Sequence, residues 1–300
     1  MNKTQAVVKS IRLPFLILTP VCVFLGSSLA FAEQANLDSW RLFFVLLGAM
    51  SAHISVNTLN EYFDFRSGLD LQTHRTPFSG GSGGIPSNPK SHKMVLLVGV
   101  FALMVSAFVG VFFVWQIGAK MLFIGLPGLI LIVAYTEWIN RRPWLCLIAP
   151  GLGFGLLMVS GTYVVLAENF ISIPWLAALV PFFLINNLLL LNQYPDIEAD
   201  AAIGRKNLPI WFGIAFSNWI YALYILLTAA VILIGVHTEQ FSSLAWLVLL
   251  PLLLAIYAWF GARKHREQIG KHPQYLAANT LCAITAPLLL GVSFIGFAGQ

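Results

Sequence analysis

Two short windows of the chain hold acidic side chains in a pattern suited to chemistry. The first contains Asn57, Asn60, Glu61, Tyr62, Asp64, Arg66, Gly68 and Asp70. The second contains Asn192, Tyr194, Asp196, Glu198 and Asp200. Both include Asn-x-Tyr-x-Asp, and each carries a further Asp, six residues on in the first and four in the second. At helical spacing Asn60 and Asp64 share one face, and Asn192, Asp196 and Asp200 share another over two turns. Carboxylates gathered on two facing helix ends repel each other and are costly near a bilayer. A divalent cation removes that cost. Mg²⁺ takes hard oxygen ligands and bridges carboxylates to substrate phosphates. The pattern therefore implies Mg²⁺-assisted binding of a diphosphate. One such window alone would read as solvated helix-end charge; two matching windows do not.

The elements that must position these windows are membrane helices. Of the 300 residues, 58% are hydrophobic and only 10% charged, against about a quarter charged in soluble domains. Mean hydropathy is +0.81. These values exclude a water-soluble globular enzyme and a disordered chain. Apolar runs fall at 13–32, 42–60, 94–115, 119–136, 144–166, 173–194, 209–236, 243–261 and 276–298. The expected architecture is all-α and polytopic: one transmembrane domain over 1–300, about nine helices around a central cavity, N-terminus cytoplasmic. The run 209–236 is long enough to tilt or to begin as an interfacial segment. The first run ends Ala30-Phe31-Ala32, like a signal-peptidase site. Its length and the span that follows favour an uncleaved helix.

Net charge is +5. The basic residues read as cytoplasmic anchors rather than a nucleic-acid surface. With the N-terminus inside and sides alternating, every Lys and Arg except Arg41 and Lys120 falls inside. The two acidic windows fall inside as well, at the ends of the second and sixth runs. The expected location is the inner (cytoplasmic) membrane, multi-pass, with the site toward the cytoplasm. Cys22, Cys146 and Cys282 each stand alone in apolar sequence and suggest neither a thiol metal site nor a disulfide.

At these windows the chain resembles the UbiA superfamily of intramembrane prenyltransferases. The first window is similar to that family's N-x-x-x-D-x-x-x-D motif and the second to its D-x-x-x-D motif. The six-residue gap from Asp64 to Asp70 departs from the common form. It is similar to the N-(D/E)-Y-x-D-x-x-x-G-x-D variant of the dihydroxynaphthoate branch of menaquinone synthesis, where Gly68 would let the chain turn so that Asp70 still faces the site. The resemblance implies transfer of a polyprenyl group from its diphosphate to an electron-rich aromatic acceptor. A dihydroxynaphthoate-type acceptor is the first expectation, and hydroxybenzoate or another quinone precursor the second. It implies metal ligation by Asn60, Asp64, Asp70, Asp196 and Asp200, catalytic roles for Asp64, Asp196 and Tyr135, and substrate contacts from Asn60 and Asn192.

Further residues carry two readings. Arg66, Arg205 and Lys206 are either diphosphate clamps or inside anchors. Arg75 precedes Pro77-Phe78-Ser79-Gly80-Gly81-Ser82-Gly83-Gly84, which is a phosphate cradle, a hinged lid or a plain loop. His53, four residues before Asn57, reads as a packed histidine before it reads as a proton carrier. At least one of Asn186 and Asn187 is expected to face the cavity. Gly151-x-Gly153-x-Gly155 reads as a close helix contact. A transporter with an acidic vestibule is the competing class. It would need charges deep in several spans, whereas here they cluster at span ends.

Overall fold

The computed structural model describes residues 1–297 apart from 36, 74 and 173. In a bilayer core a helix satisfies its own backbone N–H and C=O groups, and the described residues are helices joined by turns, with no strand. An amphipathic helix α1 (Lys3–Ser10) opens the chain, capped by Asn2, whose Oδ1 accepts from the Gln5 N–H at 2.8 Å. Arg12 (φ 57°) turns the chain into the first span, which becomes α2 (Leu18–Ala32). There follow α3 (Ser39–Ser67), α4 (His92–Ile117), α5 (Leu122–Ala134), α6 (Pro143–Ala167), α7 (Trp175–Asn192), α8 (Ile197–Ala202), α9 (Leu208–His237), α10 (Leu249–His265) and α11 (Pro273–Phe297).

Among the described residues eight helical segments are long and apolar enough to cross a membrane, and Ala119–Ala134 is a shorter apolar helix. The fourth expected span is thus shorter than its run suggested. At 1.5 Å per residue, 16 residues reach about 24 Å, short of the roughly 30 Å hydrocarbon core. It still runs from one end of the bundle to the other. Lys120, at its start, lies over the ring of Phe170, and the turn after it meets the segment that follows the second acidic window, where Lys206 N–H donates to the Asn140 carbonyl at 2.9 Å. The expected 209–236 run is broken. Gly213 (φ 81°, ψ 163°) interrupts α9, a backbone state open to glycine, so Leu208–Phe212 is a separate short segment before the long helix.

The core is centred on α7, which packs on α6, α9 and α11. Small residues set these distances. A Cβ on Gly155 would stand 2.5 Å from the Phe182 nitrogen and 2.8 Å from the Ala178 carbonyl, so α6 meets α7 backbone to backbone. The same stretch, Leu152–Val159, is π-helical. Asn186 reaches across to accept the Gly151 N–H at 2.6 Å. Asn187 Nδ2 donates to the Tyr221 carbonyl (2.9 Å), Tyr221 OH to Asn279 Oδ1 (2.7 Å), and Asn279 Nδ2 to the Asn187 carbonyl (3.1 Å). This ring ties α7, α9 and α11 together. It also corrects an expectation: neither Asn186 nor Asn187 lines the cavity, because both are used in helix-to-helix bonds. Gly155→Leu should lower the thermal midpoint in detergent by several degrees more than Gly153→Leu, since overpacking costs about 1–3 kcal/mol and a Cβ on Gly153 meets nothing within 4 Å. Equal midpoints in a fluorescence melt would contradict the close α6–α7 contact.

Candidate active site

A cavity of about 600 Å³ opens at one end of the bundle and reaches inward between α3, α4, α5 and α6. Its outer end is polar, and both acidic windows supply it. Asn57, Asn60 and Asp64 project into it from one face of α3, and Asn60 Nδ2 donates to Thr136 Oγ1 at 3.3 Å. The helix then stops at Gly68 (φ 81°) and turns into a single 3₁₀ turn over Leu69–Leu71. That turn brings Asp70 back to the cavity despite the long gap. The second window is not the continuous helix its spacing suggests. α7 ends at Asn192, Tyr194–Asp196 forms a 3₁₀ turn, and α8 starts at Ile197. Pro195 has no N–H to continue the ladder. Asn192, Asp196 and Asp200 nevertheless all line the cavity.

The glycine-rich loop lies across both windows. Gly80, Gly81 and Gly83 take φ of 78°, 72° and 71°, which lets their backbone face the acids. Gly80 N–H donates to Asp196 Oδ2 at 2.9 Å. Ser82 donates to Glu61 through both its N–H (2.7 Å) and its Oγ (2.6 Å). Glu61 is fully buried and also receives Arg12, whose Nη2 stands 2.6 Å from Oε1. Glu61 thus fastens the start of the first span and the loop to α3.

Cations divide into two groups. Arg205 and Arg12 line the cavity. Arg205 bridges the two windows: Nη1 is 2.9 Å from Asp200 Oδ1, and Nη2 pairs with Asp64. Burial alone would lower the Arg205 pKa, but Asp64 and Asp200 outweigh it and hold the guanidinium charged. The other expected clamps stand elsewhere. Arg66 is exposed, with its guanidinium over Tyr62. Lys206 is exposed and lies over Trp211. Arg75 is exposed, donates to the Asp70 carbonyl at 3.1 Å and braces the loop at Gly83 from outside.

Tyr135 lines the cavity. Burial first, then nearby Cys146, raises its phenol above the usual range, so it is a neutral O–H donor. Burial also pushes the Asp70 carboxyl up to about 8, with Glu61 and Asp64 adding to the rise and Arg12 and Arg75 opposing it. His53 is buried, shares a 2.8 Å hydrogen bond with Thr19 Oγ1 and meets Phe154 edge-on. It is a packed histidine on the cavity wall. Inward from the acids the wall is apolar. Phe15, Phe78, Phe113, Tyr135 and Phe154 contribute rings, and a Cβ on Gly110 or Gly125 would meet nothing within 4 Å.

Some polar atoms here have no partner among the described residues. Asp70 Oδ2, Asp196 Oδ1 and Asn192 Oδ1 are buried and unbonded. Three hard oxygens facing one cavity fit a divalent cation. Among the described residues no set of three His, Cys, Asp or Glu stands close enough to hold an ion; Arg205 sits between Asp64 and Asp200 instead.

Sequence reasoning missed several residues. Arg12 counted only as an anchor, and its partner Glu61 lies 49 residues away, a distance only tertiary packing closes. Asn207 caps α9 through the Ile210 N–H (3.1 Å) and donates to Asp200 Oδ2 (3.0 Å). Its signal was the Asn-x-Pro at the α9 start.

An acid- and arginine-lined mouth, built from helix ends and the loops beside them, leads into an apolar chamber between membrane-crossing helices. The chain belongs to the UbiA prenyltransferase family, whose model matches residues 19–293, and it is a prenyltransferase. It is 27% identical over 251 residues to the 1,4-dihydroxy-2-naphthoate octaprenyltransferase of Haemophilus influenzae, covering 79% of each chain. It is 28% identical over 292 residues to UbiA prenyltransferase domain-containing protein 1 of Mus musculus, covering 93% of this chain and 78% of that one. The fold is similar to the apo structure of a UbiA homolog from Aeropyrum pernix K1 (TM-score 0.72, 14% identity, 94% and 98% of the two chains). It is also similar to a UbiA homolog from Archaeoglobus fulgidus bound to DMAPP and Mg²⁺ (TM-score 0.66, 17% identity, 97% and 99%).

Proposed function

We propose that the protein transfers a polyprenyl group from a polyprenyl diphosphate to a dihydroxynaphthoate-type aromatic acceptor, with Mg²⁺, at the cytoplasmic face of the inner membrane. One observation carries this reading. The unpartnered oxygens of Asp70, Asp196 and Asn192 share a single cavity with Arg205 and Arg12, so one mouth offers ligands for a metal and donors for a diphosphate. The relative from Haemophilus influenzae bears a name that specifies the naphthoate, and the first window's spacing resembles that branch. Orientation is supported by charge. The Arg12 turn, the loops after α3 and α5 and the segment 203–207 meet at the site end. Arg41, paired with Glu168, and Lys120 lie at the other end.

In this reading Asn60, Asp64, Asp70, Asp196 and Asp200 would hold the metal, which would supply charge neutralisation on the departing diphosphate. Arg205 and Arg12 add donors aimed at the same developing charge. The prenyl C1–oxygen bond breaks and its electron pair leaves with the diphosphate. A ring carbon of the acceptor attacks C1, and the ring then loses a proton. The aromatic rings on the wall place π faces near the transient cation, and Tyr135 is placed to donate its O–H. The apolar arm between α4 and α5 takes the tail and keeps water from C1.

An acceptor panel tests the choice. Membranes holding the protein, given labelled prenyl diphosphate, should label dihydroxynaphthoate at least tenfold faster than 4-hydroxybenzoate. The reverse ranking would replace the acceptor. Labelling of neither would contradict the reading as a whole.

A further inference from the structure

We propose that Arg205 is the site's resident counter-ion, which holds Asp64 and Asp200 together in the ligand-free protein and makes metal binding conditional on the diphosphate. The inference rests on the prenyl diphosphate reading above and adds an order of events to it.

The geometry is specific. Asp64 is 5% exposed and Asp200 4%. They come from different windows, on α3 and α8, and the two arms of one guanidinium reach both. Two such buried carboxylates left unpaired are strongly unfavourable. Arg205 removes that cost without any metal. It thereby preforms the approach of the two windows that a metal–diphosphate complex needs.

The same contact blocks a bare cation. A metal approaching Asp64 or Asp200 competes with a positive charge tethered to the same chain, at an effective concentration on the order of millimolar or more. The free half of the site, Asp70, Asp196 and Asn192, offers that metal only part of a ligand set. A diphosphate changes the balance. It brings its own oxygens to the metal and gives the guanidinium a bidentate partner in place of the carboxylates. Asp200 stays aimed when Arg205 leaves, because Asn207 Nδ2 still donates to its Oδ2 at 3.0 Å. Arg12 does not share this role, since its guanidinium is held by Glu61.

The test is metal binding, not turnover. Purified full-length protein in nanodiscs is titrated with Mn²⁺, read by equilibrium dialysis as the excess Mn²⁺ retained with the protein over a protein-free control, with and without inorganic pyrophosphate. Expected for the unaltered protein is weak binding of Mn²⁺ alone and at least tenfold tighter binding with pyrophosphate. Arg205→Gln should bind Mn²⁺ alone at least tenfold tighter than the unaltered protein, and pyrophosphate should add less. Lys206→Gln removes the same charge one residue away, outside the cavity, and should change neither value. Mn²⁺ affinity unchanged or weakened in Arg205→Gln, or raised equally by Lys206→Gln, would overturn the proposal. If Arg205→Gln does not fold, Arg205→Lys replaces it. A single ammonium cannot span both acids, so an intermediate tightening is expected, and unchanged affinity again overturns the proposal. Failure of the underlying reading looks different: pyrophosphate would then have no effect on any form of the protein, whatever Mn²⁺ does alone.

Discussion

Asp64→Ala and Asp196→Ala should each lower prenyl transfer by about 10²–10³-fold or more, the scale seen when one preorganised group opposing developing charge is removed. The two variants reach that result by different routes. Asp64 is one of the two acids held by Arg205. Its removal leaves Arg205 paired with Asp200, and the glycine-rich loop still ties the windows through Gly80 to Asp196 and Ser82 to Glu61, so the helices have no reason to unfold. Asp196 offers one oxygen to Gly80 and has the other unpartnered. Its removal frees the glycine-rich loop as well as a metal oxygen, so the prenyl diphosphate KM should rise together with the fall in kcat. Both proteins should reach the membrane in normal amounts, which immunoblotting of the membrane fraction checks. Full activity in both would refute the site assignment.

Chelation is the second large effect. EDTA should abolish turnover, and added Mg²⁺ should restore it. The physical ground is the charge balance. Glu61 is neutralised by Arg12, and Arg205 serves both Asp64 and Asp200. A bound metal would displace the proton that burial favours on Asp70, so Asp70 and Asp196 would enter the complex as carboxylates with no ion-pair partner among the described residues, and a diphosphate adds more negative charge still. Two half-buried arginines cannot offset that total, so the complex needs cations from solution. Turnover that survives chelation would mean that arginines alone support the leaving group.

Particular residues mark how much was legible in sequence. Asn60 and Asp64 could be placed on one face because α3 runs unbroken to Ser67. Asp70 could be placed through Gly68, whose left-handed backbone the sequence hinted at. The second window was read as two helical turns, and its break at Tyr194–Asp196 follows from a proline the periodicity ignored. The fourth run, 119–136, has nearly the length of a span, and the helix ends two residues short of it, at Ala134. The cations were hardest. Spacing cannot separate a clamp from an anchor, since both lie just beyond a span end. Arg205 turns inward to two acids, whereas Arg66 and Lys206 find aromatic rings on the surface. Arg12 and Glu61 meet only because α1 and the first span fold back over α3.

Asn186 and Asn187 teach a related point. A polar residue inside a membrane span must find a partner, but sequence does not say whether that partner is a ligand or a neighbouring helix. Here the Asn186 side chain accepts from α6 backbone and the Asn187 side chain donates to α9 backbone, and they serve packing.

The most direct measurement is a transfer assay on purified protein in nanodiscs, with a prenyl diphosphate labelled at C1, Mg²⁺ and dihydroxynaphthoate. The expected result is a labelled lipid-soluble aromatic product formed together with one equivalent of pyrophosphate, and about a hundredfold less product or lower still from Asp64→Ala. Absence of any labelled product from the unaltered protein, or equal product from Asp64→Ala, would contradict it.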